Sequence, residues 1–151
     1  MAKKCPFTII IDTREQCPYD FPFSKRQCLP SGDYSINGYE QHIAIERKTK
    51  QDIYQSVSKG RKRFKKEVER LATYKYAAIV IESSLDNLLI PPPYTELSPR
   101  VVINTLLSWS IKYRLHVFFA SDRDHARAIV YRLLEKFWLN RVELVNGKCV
   151  G

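Results

Sequence analysis

Three short apolar runs rich in β-branched residues constrain the fold of this chain most strongly. They lie at 7–12, 77–82 and 115–120, and the first two end at an acidic residue. Short apolar runs bounded by polar residues are typical of buried strands. Because these strands alternate with segments of helical periodicity, we predict an α/β fold with one core.

A hairpin is predicted over 33–48, between the first two of these runs. Asn37-Gly38 at its centre is the strongest two-residue turn signal, because both residues tolerate positive φ. The preceding segment, 13–32, contains three prolines and a glycine. That composition predicts a long irregular connection.

Helices are predicted at 49–59, 61–75, 98–113 and 121–139. Thr49 caps the first with Asp52 three residues on, as in a capping box. Ser98-Pro99 open the third helix, which is apolar almost all round and is therefore expected to be buried. The three consecutive prolines before it require a loop.

The charge and the cysteines limit the partners and the location. The formal net charge is +9 and the sequence pI is about 9.5, which favours a polyanionic partner such as nucleic acid. No segment resembles a signal peptide or a membrane span, so we expect an intracellular protein with no membrane association. The sequence contains no CxxC pair, so a zinc site is not expected. Free thiols are expected for the four cysteines, which are Cys5, Cys17, Cys28 and Cys149.

The stretch "AIERKTKQD" at 44–52 places unusual chemistry at the end of a strand. Strand alternation directs Glu46 and Lys48 to one face and Arg47 to the other. Asp33 opens the opposite arm of the hairpin, and Asp12 ends the first strand. Two acids and a lysine are what metal-dependent phosphodiester hydrolysis requires. The alternative is an exposed strand end with a weak ion pair.

The motifs "IIIDTRE", "GDY" and "ERKTKQD" resemble, in this order, those of the XPF/ERCC4-type nuclease family, whose signature is ERKxxxD. The resemblance implies a restriction-endonuclease-like fold, a central mixed sheet flanked by helices. It also implies cleavage of branched or single-strand/duplex junction DNA with Mg²⁺ or Mn²⁺, in repair, recombination or replication.

The resemblance also implies roles for single residues. Asp33 and Glu46 match the carboxylates that hold the metal, and Lys48 matches the catalytic lysine. Arg47 is expected to support the site from the opposite face. The full catalytic set is Asp12, Asp33, Glu46, Arg47, Lys48 and Asp52.

A basic segment follows the signature and is predicted to contact DNA, although a solvated helix face is the alternative. The predicted nucleic-acid contacts are Arg14, Lys59, Arg61, Lys62, Arg63, Lys65 and Lys66. Glu82 is either a further acid of the site or a strand cap. The aromatic residues Tyr34, Tyr74 and Tyr76 are expected in the core.

We expect residues 1–151 to form a single ERCC4-type nuclease domain without helix-hairpin-helix or helicase regions. A homodimer is expected through the last helix, where Tyr131 and Trp138 fall beyond its apolar stripe. Two other functions stay open at this point: a catalytically silent DNA-binding or scaffolding partner, and a nuclease that acts on RNA.

Overall fold

A computed structural model describes residues 6–145 and 147 of the chain. The strands are β1 (Ile9–Ile11), β2 (Ser24–Arg26), β3 (Tyr34–Ile36), β4 (Ile43–Lys48), β5 (Tyr76–Ile81) and β6 (His116–Phe119). The helices are α1 (Lys50–Val57), α2 (Arg61–Leu71), α3 (Leu85–Leu88), α4 (Pro99–Lys112) and α5 (Arg123–Val145). Of the cysteines, Cys17 and Cys28 are free and exposed, as predicted; Cys5 and Cys149 lie outside the described residues.

The six strands form one mixed sheet in the order β2-β1-β3-β4-β5-β6, which confirms the predicted fold class. Strand β3 is antiparallel to β1 and β4, and the other neighbouring pairs are parallel. All strands except β3 therefore point the same way. Their carboxyl ends meet at one edge of the sheet, beside the start of β3.

Helices cover both faces of the sheet. Helix α5 packs on one face through Ala126, Val130 and Leu134, and α1, α2 and α4 pack on the other. Along β4, Ile43 and Ile45 belong to the α5 side, whereas Ala44 belongs to the opposite side. This alternation decides which way the charged end of β4 points.

The first arm of the β3–β4 hairpin ends in a turn at Asn37-Gly38, as predicted, but the whole connection is longer than two residues. Only Gly38 has a positive φ, of 90°. The Tyr39 N–H donates to the Ile36 carbonyl at 2.8 Å, and six residues, 37–42, connect the strands. Within this connection the ring of Tyr39 packs against Phe137 of α5.

Two strand predictions were wrong in part. The segment 13–32 is not wholly irregular, since it contains β2, whose exposed polar residues give no apolar signal. Strand β6 is not fully buried: it forms the edge of the sheet, and Phe119 is 37% exposed.

Two helix predictions were also wrong in part. Helix α4 is not buried all round, because Leu107 is 59% and Ile111 83% exposed. The predicted second helix ends at Leu71 rather than at 75, and α5 continues past 139 to Val145. No helix among the described residues is long and apolar enough to cross a membrane.

Candidate active site

A cleft of about 410 Å³ opens where β1, β3 and β4 bring their acidic residues together. Asp12 follows β1, Asp33 precedes β3, and Glu46 and Lys48 lie near the end of β4. Helices α1 and α2 form the other wall of the cleft. The sheet topology therefore unites four residues that the sequence spreads over 12–48.

Glu46 and Lys48 share the cleft side of β4, as strand alternation predicts. Glu46 is only 8% exposed, and its Oε1 lies 3.4 Å from the Lys48 ammonium. The same ammonium lies 5.1 Å from the centre of the Phe64 ring on α2. The aromatic ring and the carboxylate together hold the lysine at the cleft.

Asp33 is fixed by the backbone of its two neighbouring strands. Its Oδ2 accepts from the Arg47 N–H at 2.8 Å. Its own N–H donates to the Ile45 carbonyl, and its carbonyl accepts from the Asp12 N–H, each at 2.8 Å. Gly32 permits this approach, because a Cβ there would lie 3.0 Å from the Cβ of Ala44.

The crowded carboxylates perturb one another. Burial raises the pKa of Asp33 to about 7, and the charges of Glu15 and Glu67 add to the rise. Burial also raises the pKa of Glu46 well above its ordinary value, with Asp33 and Glu67 adding to it. Burial lowers the pKa of Lys48, but the nearby carboxylates outweigh it and raise that pKa. The cleft thus holds more negative charge than one lysine offsets.

Arg47 points to the opposite side of the sheet, as expected. Its Nε donates to Glu82 Oε1 at 2.6 Å, and its Nη1 donates to Glu15 Oε1 at 3.2 Å. The guanidinium also lies 5.3 Å from the centre of the Tyr19 ring. Arg47 therefore reaches the cleft only through its backbone N–H, which holds Asp33.

This network settles where Glu82 lies. Its carboxylate accepts from Arg47 and also from the Tyr19 hydroxyl at 2.5 Å. Burial raises the pKa of Glu82, but these hydrogen bonds outweigh it and hold the pKa below its usual value. Glu82 is a partner of Arg47 and lies apart from Glu46 in the cleft.

Asp12 has a more structural environment than Asp33. It is buried, its Oδ1 accepts from the Leu29 N–H at 2.9 Å, and its Oδ2 accepts from Arg14 Nε at 2.9 Å. Arg14 Nη2 also donates to the Leu29 carbonyl. Asp12 thus anchors the loop before β3 at the cleft, while the exposed Arg14 side chain forms part of its rim.

Asp52 lines the cleft and also starts α1. Its Oδ2 accepts from the Thr49 N–H, and its own N–H donates to Thr49 Oγ1, each at 3.2 Å. This reciprocal pair is the predicted capping box, which is confirmed. The carboxylate of Asp52 therefore stabilises the start of α1, whether or not it also takes part in catalysis.

The predicted basic residues separate into groups. Arg63 lines the cleft, and Lys65 pairs with Glu69 at 3.9 Å on the exposed side of α2. Arg61 donates to Thr105 Oγ1 at 3.0 Å and lies over the Trp109 ring. Arg61 thus joins α2 to α4 and is also exposed, so its predicted contact with DNA stays a prediction. The other lysines of the set, Lys59, Lys62 and Lys66, are exposed.

Two cleft residues were missing from the sequence prediction. Glu67 lies with Glu46 and Asp33 in the cleft and contributes to the raised pKa of both. Arg70 donates from Nε to Ser31 Oγ at 3.3 Å. Both follow Arg63 at helical spacing, and that periodicity is the signal that could have found them.

The comparisons with known proteins agree with this architecture. The model of the ERCC4 domain matches residues 11–133. The chain is 29% identical over 124 residues to the 3'-flap repair endonuclease Xpf of Saccharolobus solfataricus. That alignment covers 78% of this chain and 49% of the relative, so the chain spans about half the relative's length.

Two solved structures share the fold. XPF from Aeropyrum pernix has a TM-score of 0.67 and 21% identity, over 85% of this chain and 60% of that chain. The same protein in complex with DNA has a TM-score of 0.65 and 22% identity, over 89% and 66%. Since the family model covers most of the residues that build the sheet and the cleft, this chain belongs to the ERCC4 domain family.

Proposed function

We propose that this domain is a Mg²⁺- or Mn²⁺-dependent endonuclease that cuts DNA at flaps, forks or other branched junctions. The observation that carries the proposal is the convergence of Asp33, Glu46 and Lys48 in one cleft beside a sheet edge. The family and the DNA complex of an XPF neighbour support DNA as the substrate. A role in DNA repair, recombination or replication, inside the cell, follows from that substrate.

The donor set fits a hard divalent cation. Asp33 and Glu46 offer carboxylate oxygens in a cleft of about 410 Å³, which leaves room for water. No group of three or more acidic, histidine or cysteine side chains suited to a metal occurs within the described residues. Mg²⁺ is commonly held by one or two carboxylates plus waters, whereas zinc needs a fuller set of protein ligands.

The residues of the cleft would then have distinct tasks. The bound cation would supply positive charge at the phosphate and lower the pKa of a water. Asp33, fixed by the Arg47 N–H, and Glu46 hold the carboxylate oxygens in place. Lys48 directs its ammonium into the cleft, where it stabilises charge that develops on the attacked phosphate.

The experiment compares cleavage and binding of labelled flap, fork, Holliday-junction and linear duplex DNA, with Mg²⁺, Mn²⁺ or EDTA. Asp33→Ala and Glu46→Ala should abolish cleavage and leave binding in EDTA largely intact. The exposed Glu96→Ala is a control with the same charge change. Near-normal cleavage by Glu46→Ala would contradict the metal assignment, and an inert unmodified protein that binds DNA would favour the scaffolding role.

The proposal includes a homodimer, but with a different interface from the one first predicted. Tyr131 and Trp138 pack on Phe7 of the same chain, with ring centroids 6.2 and 5.8 Å apart, so they are not left for a partner. Leu107 and Ile111 of α4 are exposed, and Leu107 lines a cavity together with Val117 and Phe119 of the edge strand β6. We propose that a second copy packs on this exposed face of α4.

A further inference from the structure

The positive charge of the chain is not concentrated at the cleft. Five carboxylates line it, against four cations: Arg14, Lys48, Arg63 and Arg70. The formal net charge of the chain is nevertheless +9. Most of the excess positive charge therefore lies elsewhere, where it is available to a second polyanion-binding surface.

Two cavities lie at the opposite edge of the sheet, where β5 and β6 begin. One, of about 410 Å³, lies on the α5 side and is lined by Lys75, Lys136 and Arg141 among others. The other, of about 300 Å³, lies on the α4 side and is lined by Lys75, Arg114 and His116 among others. No carboxylate of the described residues lines either cavity. We call Lys75, Arg114, His116, Lys136 and Arg141 the distal basic edge.

Aromatic rings lie among these basic residues. Tyr76 and His116 stack with centroids 4.6 Å apart and planes inclined by 12°, and His116 is exposed. The guanidinium of Arg141 lies 5.5 Å from the centre of the Phe137 ring. Its Nε is buried and has no hydrogen-bond partner in the described part of the chain. What the edge offers to a ligand is the exposed ring of His116, stacked on Tyr76 among basic side chains.

We propose that the distal basic edge binds an unpaired strand of nucleic acid. Sites for single strands combine cations that follow the phosphates with aromatic rings on which bases stack. Tyr76 and His116 provide the rings, and Lys75, Lys136 and Arg141 the positive charge. A duplex hides the faces of its bases, so the ring pair favours an unpaired strand over a duplex.

The position of the edge suits a strand that leaves the cleft. The cleft and the distal basic edge lie at opposite ends of the parallel strands. Strand β5, which has six residues, spans about 17 Å between these ends. An unpaired strand can bend around the sheet over this distance more easily than a stiff duplex. The inference concerns a surface apart from the proposed active site and does not require the cleft to be catalytic.

The test measures binding of a labelled oligothymidylate about 12 nucleotides long by fluorescence anisotropy, in EDTA so that no strand is cut. The double variant Lys75→Ala/Lys136→Ala should bind at least about tenfold more weakly. The slope of log affinity against log salt should become shallower by about 1.4, or about 0.7 for each lost phosphate contact. The exposed pair Lys25→Ala/Arg100→Ala removes the same charge and should stay within about twofold of the unmodified protein.

A second pair of variants tests stacking apart from charge. His116→Ala should weaken binding by about fivefold or more, whereas His116→Phe should restore it, because only the latter keeps a ring over Tyr76. Equal losses in the Lys75→Ala/Lys136→Ala variant and in the Lys25→Ala/Arg100→Ala control, or normal binding by His116→Ala, would overturn the proposal. So would light scattering in which the unmodified protein is dimeric and the Lys75/Lys136 variant monomeric, since a second copy would then cover this edge.

Discussion

Replacing Asp33 with asparagine should stabilise the metal-free protein, and by more at pH 8 than at pH 5. Burial raises the pKa of Asp33 from 3.8 to about 7, so the folded state keeps a proton that the unfolded state releases near pH 4. Between these values the folded state binds more protons, and the free energy of unfolding falls as the pH rises. A shift of this size corresponds to at most about 4 kcal/mol, at about 1.4 kcal/mol per pKa unit.

The measured gain should be smaller, at about 2 kcal/mol, because Asp33 and Glu46 redistribute protons between them. Asparagine keeps an oxygen for the Arg47 N–H, so the hydrogen bond that fixes the loop survives. Urea unfolding in EDTA at pH 5 and pH 8 gives the two free energies, with the exposed Asp20→Asn as the control. A difference that does not change with pH, or a loss of stability at pH 8, would refute the reasoning.

The same variant separates stability from function. Mn²⁺ should raise the unfolding midpoint of the unmodified protein, because a ligand that binds only the folded state stabilises it. The Asp33→Asn variant should show little or no such rise, since it lacks one of the two proposed carboxylates. A full Mn²⁺ response in Asp33→Asn would remove Asp33 from the metal site.

Lys48→Ala should lower the single-turnover cleavage rate by about 10²–10³ and leave Mn²⁺ affinity nearly unchanged, and an unchanged rate would exclude it from the chemistry. Arg63→Ala with Lys66→Ala should reduce the salt dependence of duplex binding by about 0.9 for each lost contact, whereas an equal slope would leave α2 a solvated face. Light scattering should give twice the 17.7 kDa chain mass for the unmodified protein, and Leu107→Glu with Ile111→Glu should halve it; a monomeric unmodified protein would contradict pairing.

Strand periodicity was the most informative signal in the sequence. Alternation along β4 predicted that Glu46 and Lys48 would share a face and that Arg47 would lie on the other, and the structure places them so. The hairpin predicted that Asp33 would approach this strand, which its contact with the Arg47 N–H confirms. These relations are local, because they follow from the two-residue period of a strand and from one turn.

The features that sequence could not supply depend on tertiary packing. Helical spacing relates Glu67 and Arg70 to Arg63, but it does not say which face of α2 meets the cleft. Composition alone likewise gave no sign that α4 packs on one side only and leaves Ile111 in solvent. For Glu82, the choice between two roles depended on the side of the sheet to which its carboxylate turns.

Arg47 explains how one strand can serve both sides of the sheet. Its side chain is held by Glu15 and Glu82 on the α5 side, while its N–H holds Asp33 at the cleft. A residue anchored by its side chain positions its own backbone more rigidly than one whose side chain is free. The ion network on the far side thus restrains a carboxylate that it does not touch. Arg47 supports the cleft in this way without any contact between its guanidinium and the cleft.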